Sequence, residues 1–444
     1  MLTVYTAMKT MAPFLALTLL LAADFAHPEA DAAIADAASC GLKHPAYLSL
    51  IDCPEEHREA CYASLRFFVP SLSPNQYLGD QLPQRVKGTQ LLRLDLDGLG
   101  WPLPAWEAVS AEYARHYRPD LAAHKQGPLV VSGLWFLSVV SDPNESGDLQ
   151  YRLLYNDKPP KTLKEFDDFW GVNGQPGFEF GFLESRSGVK APNADSARLM
   201  QSQPTNRRGD RWITFDSKVV AGEKDPLENL LARPPKHDAS EAIARVYKSL
   251  GNEGGTAQVY FLANGKGERQ EKAPADIVLG DAVRGVEIKN TIDCVACHTL
   301  GMKLPSIDGY REYVLSGARI YTKDKADQRE IDRFYQSPIA RELSRANEDY
   351  REFVRLCNGL EPPENAANFV ACIKSYDAPL GLARAAQELY TDADDLQLAL
   401  GWYSRKYGLT GRLALLAQDV AISRTQWREN YGLAIKVLCE WRSE

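Results

Sequence analysis

Short apolar runs in the first half of the chain predict β-strands. Residues 89–96 combine four leucines with charged side chains and predict one strand. Residues 129–140 are almost wholly apolar and predict a second, buried strand. Thr162 stands three residues before Glu165 and follows two prolines, a capping-box pattern that predicts a helix beginning at residue 162.

The pattern changes in the middle of the chain. Residues 171–209 are rich in Gly, Ser, Asn and Pro, which predicts an extended irregular stretch. Residues 211–215 and 258–262 predict strands, and Asn264 followed by Gly265 is a strong signal for a hairpin turn after the second of them.

The last third of the chain follows a helical period. From residue 307 onwards, apolar residues recur at helical spacing and turn residues divide the segment, so that this third is predicted to be all α. The apolar positions that carry this prediction best are Ile331, Phe334, Tyr335, Ile339 and Leu343. Residues 283–292 also look helical.

These patterns predict an α+β protein, in which a mixed N-terminal domain is followed by an all-α domain. A length of 444 residues favours two or three domains. We predict a signal peptide at 1–26, a mixed α/β domain with a cysteine-rich start at 27–275, and a helical domain at 276–444.

The N-terminus has the layout of a secretory signal peptide. Lys9 precedes the apolar run 11–23, which is followed by small residues. The run is shorter than the roughly 20 residues that a membrane span needs, so we expect cleavage, no remaining membrane span, and a periplasmic or secreted protein. The formal net charge of -8 gives no indication of nucleic-acid binding.

The strongest chemical signal is the run Cys294-Val295-Ala296-Cys297-His298. Two thiols at this spacing can add to the two vinyl groups of haem, and a histidine directly after the second thiol reaches the iron. The motif predicts one covalently attached haem c, with Cys294 and Cys297 as thioethers and His298 as the proximal ligand. The other ring nitrogen of His298 is expected to donate to a backbone carbonyl, for which Pro305 is a candidate.

Two alternatives to haem stay open for this motif. A zinc site normally needs four ligands, and no second Cys-x-x-Cys or His-x-His pair is present. A thioredoxin-like redox dithiol should follow a strand, whereas the preceding residues 283–292 look helical.

The other six cysteines predict up to three disulfides in an exported protein. We prefer Cys357 with Cys372, because they flank a segment that looks like a loop between two helices. The alternative is that the six are buried free thiols. The remaining four would form the other bridges: Cys40, Cys53, Cys61 and Cys439.

At this point the chain resembles a group of large, exported, single-haem bacterial proteins of the c-type cytochrome kind. The resemblance implies that a mixed domain packs against the haem domain, and that the protein has a role in redox chemistry. Relatives often have a histidine where Gln203 stands here, so that this position departs from the family pattern. The similar segments lie at 93–97 before Trp101, 155–172, 259–267, 274–277 and 294–301.

The second axial ligand of the iron would decide the function. Met302 is only four residues past His298, too close to pass round the haem edge. Met200 is better placed, because the resemblance brings this part of the chain towards the haem, and it is our candidate distal ligand. His237 is a second candidate, whereas the other histidines are expected to be surface or structural residues: His44, His57, His116 and His124.

The favoured function is one-electron transfer in the periplasm, with a redox partner protein or a small-molecule electron donor or acceptor. The alternatives are a peroxidase-like haem enzyme and a haem-based sensor with an open distal site, and the sequence leaves open whether the protein is an enzyme. Five tryptophans of the first half could line a ligand site but are more often core residues: Trp101, Trp106, Trp135, Trp170 and Trp212.

Overall fold

The computed structural model describes most of the chain downstream of the predicted signal peptide. The described residues are 28–117, 130–172, 178–183, 197–205, 209–217, 236–275, 282–302, 329 and 339–444. The predicted signal peptide at 1–26 and Pro305 lie outside these ranges, as do Ile331, Phe334 and Tyr335.

The first part of the chain forms short helices around a small sheet. Its elements are α1 (Ala30–Ser39), β1 (Pro45–Ser49), α2 (Glu55–Ser71), β2 (Gln84–Arg85), β3 (Leu91–Asp95), α3 (Leu96–Leu99), α4 (Leu103–Tyr117), β4 (Val130–Ser132), α5 (Gly133–Trp135), a π-helical turn (Phe136–Val140), α6 (Pro143–Ser146), α7 (Leu149–Leu154) and α8 (Leu163–Trp170). The small sheet has the order β2-β3-β1-β4, in which β1 and β4 run parallel and the other neighbours antiparallel.

The middle of the chain forms a large antiparallel sheet. Its strands are β5 (Phe178–Leu183), β6 (Ala197–Thr205), β7 (Gly209–Ser217), β8 (Ala239–Leu250), β9 (Glu253–Asn264) and β10 (Arg269–Gln270). They lie in the order β10-β9-β8-β7-β6-β5, so each strand pairs with its neighbour in sequence. The long strands β8 and β9 form a hairpin with a two-residue connection, a pairing that forms locally.

The described part of the last third is helical. After α9 (Ile292–Cys297) come α10 (Ile339–Asn358), α11 (Pro362–Asp377), α12 (Leu382–Glu388), α13 (Ala393–Tyr407), α14 (Arg412–Leu416) and α15 (Arg424–Arg442). None of the helices in the described ranges has both the length and the apolar character that a membrane crossing needs.

The two faces of the large sheet pack against different partners. On one face, Ala242, Ile213 and Phe261 form a core with Phe166 and Trp170 of α8. The neighbouring residues along the same strands point to the other face and belong to the main core, as Trp212, Ile243 and Tyr260 do. We call these the α8 face and the core face.

The main core includes residues from both halves of the chain. Phe68 of α2 packs on Phe369 of α11, with ring centroids 5.6 Å apart, and Phe67 lies 5.9 Å from Phe353 of α10. The described parts of the two predicted domains therefore share buried surface. The boundary at 275/276 itself stays a prediction.

The α+β fold class is confirmed, and several local predictions hold. The strand predicted at 89–96 is β3, and the strands predicted at 211–215 and 258–262 lie within β7 and β9. Thr162 caps α8, since its side chain accepts the Glu165 N–H at 3.2 Å. The helical prediction for the last third is confirmed for residues 339–444.

Three local predictions are wrong. The apolar run 129–140 is a strand only at β4 and then turns helical, because the Ser132 hydroxyl accepts the Trp135 N–H and starts a helix. Residues 178–183 and 197–205 are strands although they were predicted to be irregular. Residues 283–291 are not helical, because the Asp293 carboxylate binds backbone N–H groups there instead.

Candidate functional site

The two motif cysteines lie on one short helix. Cys294 and Cys297 are three residues apart in α9, so they share a face of it. Cys294 is buried and Cys297 is partly exposed. Burial raises the pKa of the Cys294 thiol well above its usual value, which keeps this sulfur neutral.

The start of α9 is held in a conformation that its sequence does not favour. Thr291, directly before the helix, has a φ of 63°, which is unusual for a β-branched residue. The fully buried Asn290 holds this turn, because its side-chain oxygen accepts the Thr291 N–H at 3.0 Å and its amide donates to the Tyr151 hydroxyl. Backbone strain of this kind collects at functional sites.

Asp293 holds the segment that leads to the helix. Its carboxylate accepts the backbone N–H of Val283 at 2.6 Å and that of Lys289 at 2.7 Å. Burial nevertheless raises the pKa of Asp293 above its usual value. The carboxyl group therefore takes the place of helical hydrogen bonds in residues 283–291.

Arg284 ties the same segment to the rest of the fold. Its guanidinium donates to Asp142 at 2.9 Å, to Asp377 of α11 at 2.6 and 2.8 Å, and to the Ser138 hydroxyl at 2.6 Å. Lys289 also donates to Asp142, at 3.0 Å. Although burial disfavours the Asp142 carboxylate, the hydrogen bonds from Lys289 and Arg284 outweigh it and lower its pKa. This network links three separate parts of the chain at the motif.

The His298 ring is held at both nitrogens. Nδ1 lies 3.2 Å from the carbonyl oxygen of Gly301, and Nε2 lies 3.3 Å from Oε1 of Glu241 on β8. Because a carbonyl can only accept, Nδ1 donates to Gly301. Nε2 donates to the Glu241 carboxylate when the ring is protonated, and in the neutral ring it carries the lone pair that a metal would bind. Gly301, rather than the predicted Pro305, thus supplies the carbonyl. The Tyr260 ring lies 5.5 Å from the imidazole.

The loop after His298 is fixed by α10. Asn347 accepts the Met302 N–H at 2.8 Å and donates to the Met302 carbonyl at 2.8 Å. Gly301 has a φ of 93°, and a Cβ at this position would lie 2.3 Å from Oδ1 of Asn347. Glycine is therefore required where the carbonyl turns towards the histidine.

Met200 lies on the same cross-strand row as Glu241. Met200 of β6 pairs with Thr214 of β7, and Thr214 pairs with Glu241 of β8. Neighbouring strands are about 4.8 Å apart, so two strand spacings separate the backbones of Met200 and Glu241 by roughly 10 Å. Sequence pattern placed Met200 in an irregular loop, whereas it belongs to a strand of the sheet that contacts the motif.

The other candidate ligands occupy different positions. Gln203 pairs with Arg211 on the α8 face of the large sheet, the face that does not contact His298. His237 packs against the Phe215 ring at 4.9 Å. Met302 is buried in the main core. The five tryptophans of the first half are also buried core residues, as expected.

Glu241, Asn290, Asp293 and Arg284 were not singled out from the sequence. Glu241 is 57 residues before His298 in the sequence. Arg284 is separated by 142 residues from Asp142 and by 93 residues from Asp377, so no local sequence pattern indicates these contacts. Asp293 was detectable in principle, because a carboxylate in the first turn of a helix is a common stabilising feature.

The His298 ring is oriented as the ring of a metal-binding histidine usually is. The His298 Nδ1 is held by a carbonyl, as is usual for a metal-binding histidine, and Nε2 faces away from the backbone. In the described residues no group of three or more His, Cys, Asp or Glu side chains is arranged to hold a metal ion. The Glu241 carboxylate is the group that an iron on Nε2 would have to displace.

Comparison of the chain with protein-family models, with curated proteins and with solved structures gave no match.

Proposed function

We propose that this chain is an exported c-type haem protein that carries one haem, attached to Cys294 and Cys297 with His298 as an axial ligand, and that it transfers single electrons. The observation that supports this best is the His298 ring, whose Nδ1 is held by the Gly301 carbonyl while Nε2 is turned towards the core face of the large sheet. The bound iron would supply one-electron chemistry by changing between its ferric and ferrous states.

The state of the thiols favours thioethers over the two alternatives. A redox dithiol and a zinc site both need thiolates, which occur where the pKa of a cysteine is lowered. Here burial raises the pKa of Cys294 well above its usual value. A thioether carries no ionisable proton, so the same buried position suits it.

The residues around the motif hold the imidazole ring of His298 in one orientation. Asn290 and Asp293 hold the start of α9, and Asn347 holds the loop that carries the Gly301 carbonyl. A histidine oriented in this way keeps one nitrogen directed at the metal and loses little freedom on binding it.

The proposed sixth ligand is Met200, which shares a cross-strand row with Glu241 on the sheet that contacts His298. A methionine there would give an electron carrier whose partner is a redox protein or a small electron donor or acceptor. We also propose export to the periplasm or beyond, from the predicted signal peptide, and no nucleic-acid partner, from the formal net charge of -8.

Glu241 supports a second candidate function. Its carboxylate lies 3.3 Å from Nε2 and is the described acidic group nearest to the nitrogen that would bind iron. If the Glu241 carboxylate rather than the Met200 side chain faced the iron, the sixth ligand would be bound only weakly. That arrangement suits a peroxidase-like enzyme or a gas sensor.

The decisive test is the optical spectrum of the full chain, expressed with export and haem maturation and measured in the ferric and ferrous states. A pyridine haemochrome assay after denaturation should find one covalent haem per chain. Replacing both Cys294 and Cys297 by serine should abolish covalent attachment, whereas Cys40→Ser, at a partly exposed thiol far from the motif, should retain it. Absence of covalent haem from the wild-type protein would refute the proposal.

Carbon monoxide then separates the two functions. An electron carrier should give a six-coordinate low-spin spectrum that carbon monoxide does not change, and Met200→Ala should make the iron accessible to the gas. Met302→Leu is the matched control, because this buried methionine is a core residue. A wild-type protein that binds carbon monoxide directly would favour the enzyme or the sensor.

A further inference from the structure

Three thiols meet where the first long helix packs on the C-terminal helices. The sulfur atoms of Cys53, just before α2, and Cys61, within α2, lie 3.3 Å apart. The thiol of Cys372 on α11 lies close enough to Cys61 to help raise the pKa of the Cys61 thiol. All three side chains are buried.

Helix packing brings Cys61 and Cys372 together. Cys61 and Phe68 are seven residues apart, two turns along one face of α2, and Cys372 and Phe369 are one turn apart on α11. Phe68 contacts Phe369, with ring centroids at 5.6 Å. Cys61 and Cys372 thus lie on the faces by which α2 and α11 pack against each other.

Cys53 is held from a third element. The side-chain amide of Gln387 on α12 donates to the carbonyl oxygens of Ile51 at 3.2 Å and of Cys53 at 3.1 Å. The backbone of Cys53 is thereby fixed next to the first turns of α2. The cluster thus joins α2, α11 and the segment before α2, independently of the haem motif.

We propose that Cys61 is a shared thiol, which forms a disulfide with either Cys53 or Cys372 and exchanges between these two partners. The geometry points to this role because Cys61 lies 3.3 Å from the sulfur of Cys53, on a helix that packs on the helix of Cys372. A disulfide with Cys53 requires the 3.3 Å separation to close to about 2 Å. This proposal does not rest on the proposed function.

The chemistry of the first step needs an oxidant. Two thiols lose two electrons and two protons as one S–S bond forms, and a disulfide-bearing oxidant such as oxidised glutathione, or a thiol–disulfide oxidoreductase, takes them up and is reduced to two thiols. Since the cluster has an odd number of thiols, one disulfide always leaves one free thiol beside it.

The second step is an exchange without net oxidation. In the Cys53–Cys61 form, the Cys372 thiolate attacks the sulfur of Cys61, the Cys53–Cys61 bond breaks, and Cys53 leaves as a thiolate that takes up the proton. Hydrogen bonds to Cys372 and Cys53, together with burial, raise the pKa of the Cys61 thiol well above its usual value. The Cys61 thiolate is needed to form the first disulfide, so this first step should be slow at neutral pH and faster as the pH rises.

The test is disulfide mapping of the full chain after equilibration in glutathione buffers of several oxidised-to-reduced ratios, followed by trapping of free thiols with an alkylating reagent. Trypsin separates Cys53 from Cys61 by cutting after Arg58. Cys357 and Cys372 share the tryptic peptide 356–374, so a second, glutamate-specific protease must cut after Glu364 to separate them.

In the wild-type protein, Cys61 should be found linked to Cys53 in some molecules and to Cys372 in others. The total amount of disulfide should rise with the proportion of oxidised glutathione. The ratio of the two links should stay the same at every buffer ratio, because exchange transfers no net electrons.

Variants separate the two links without removing the shared thiol. Cys53→Ser should place the disulfide at Cys61–Cys372, Cys372→Ser should place it at Cys53–Cys61, and Cys357→Ser should leave the wild-type pattern unchanged. A wild-type protein with only one of the links, a ratio that varies with the buffer, or a Cys357–Cys372 link would each overturn the proposal.

Discussion

Replacing Arg284 by methionine should destabilise the protein, because Arg284 is the centre of the network before the motif helix. The guanidinium donates to Asp142 and Ser138, which are both fully buried, and to Asp377, whose side chain is 34% exposed. Methionine keeps much of the side-chain length but donates no hydrogen bond. The change leaves Asp142 with Lys289 as its remaining charged partner in the described contacts.

The expected loss can be worked out contact by contact. A hydrogen bond to a buried charged group contributes about 1.5–3 kcal/mol, which applies to Asp142. The pair with Asp377 is one-third exposed and contributes less than about 1 kcal/mol, since water can replace it. Together these values predict that Arg284→Met lowers the free energy of unfolding by about 2–4 kcal/mol.

Urea unfolding followed by circular dichroism and tryptophan fluorescence measures this loss, provided that the slopes of the compared transitions agree. The control is Lys436→Met, which breaks an ion pair whose side chains are 57% and 34% exposed and should cost less than about 0.5 kcal/mol. Hydrogen exchange should also become faster at the amides of Val283 and Lys289. A loss below about 1 kcal/mol for Arg284→Met would refute this account of the network.

Three further predictions concern a buried acid, a close backbone contact and the candidate site. Burial raises the pKa of Asp52 from 3.8 to about 6, so the folded state binds this proton more tightly than the unfolded state, and stability should fall as the pH rises from about 4 to 6. Asp52→Asn should therefore stabilise the protein by on the order of 2–3 kcal/mol at pH 8 and have little effect at pH 3.5. Equal changes in melting temperature at the two pH values would contradict this expectation. Gly255→Ala should destabilise by about 1–3 kcal/mol in urea unfolding, because its Cβ would lie 2.3 Å from the backbone nitrogen of Phe353. Gly401→Ala, inside α13, should not, because its Cβ would meet only the end of the Arg405 side chain, at 3.6 Å. Similar losses for both would contradict the packing argument. In the haem-loaded protein, Glu241→Gln should raise the reduction potential by on the order of 100 mV, because it removes a negative charge beside the nitrogen that would bind iron. An unchanged potential in a redox titration would show that this carboxylate lies far from the iron.

Sequence alone predicted the parts of the fold that depend on local chemistry. The capping box at Thr162 is visible because both partners lie within four residues, and β3 and the turn at Asn264 follow from short-range patterns. The prediction for the run 129–140 failed because its described residues, 130–140, are all buried. An apolar run with so few polar positions has no period that separates a strand from a helix.

In the candidate site, too, the local features could be predicted from the sequence, whereas the contacts between distant parts of the chain could not. The spacing of Cys294, Cys297 and His298 is a local signal, so the sequence alone can predict a site there. Glu241 could not be found, because its role depends on the pairing of β8 with its neighbours and on the contact of that sheet with α9. The pairing preferred for Cys372 pointed to Cys357, its neighbour in sequence, whereas the contacts of Cys372 lead to Cys61.

The packing of α2 on α11 means that part of the core forms late during biosynthesis. The ribosome adds about 5–20 residues per second, so on the order of 15–60 s separate the emergence of α2 from that of α11. During that interval Phe67 and Phe68 lack the C-terminal aromatic partners that bury them in the finished protein. The nascent chain therefore lacks this part of its core until α10 and α11 have been synthesised.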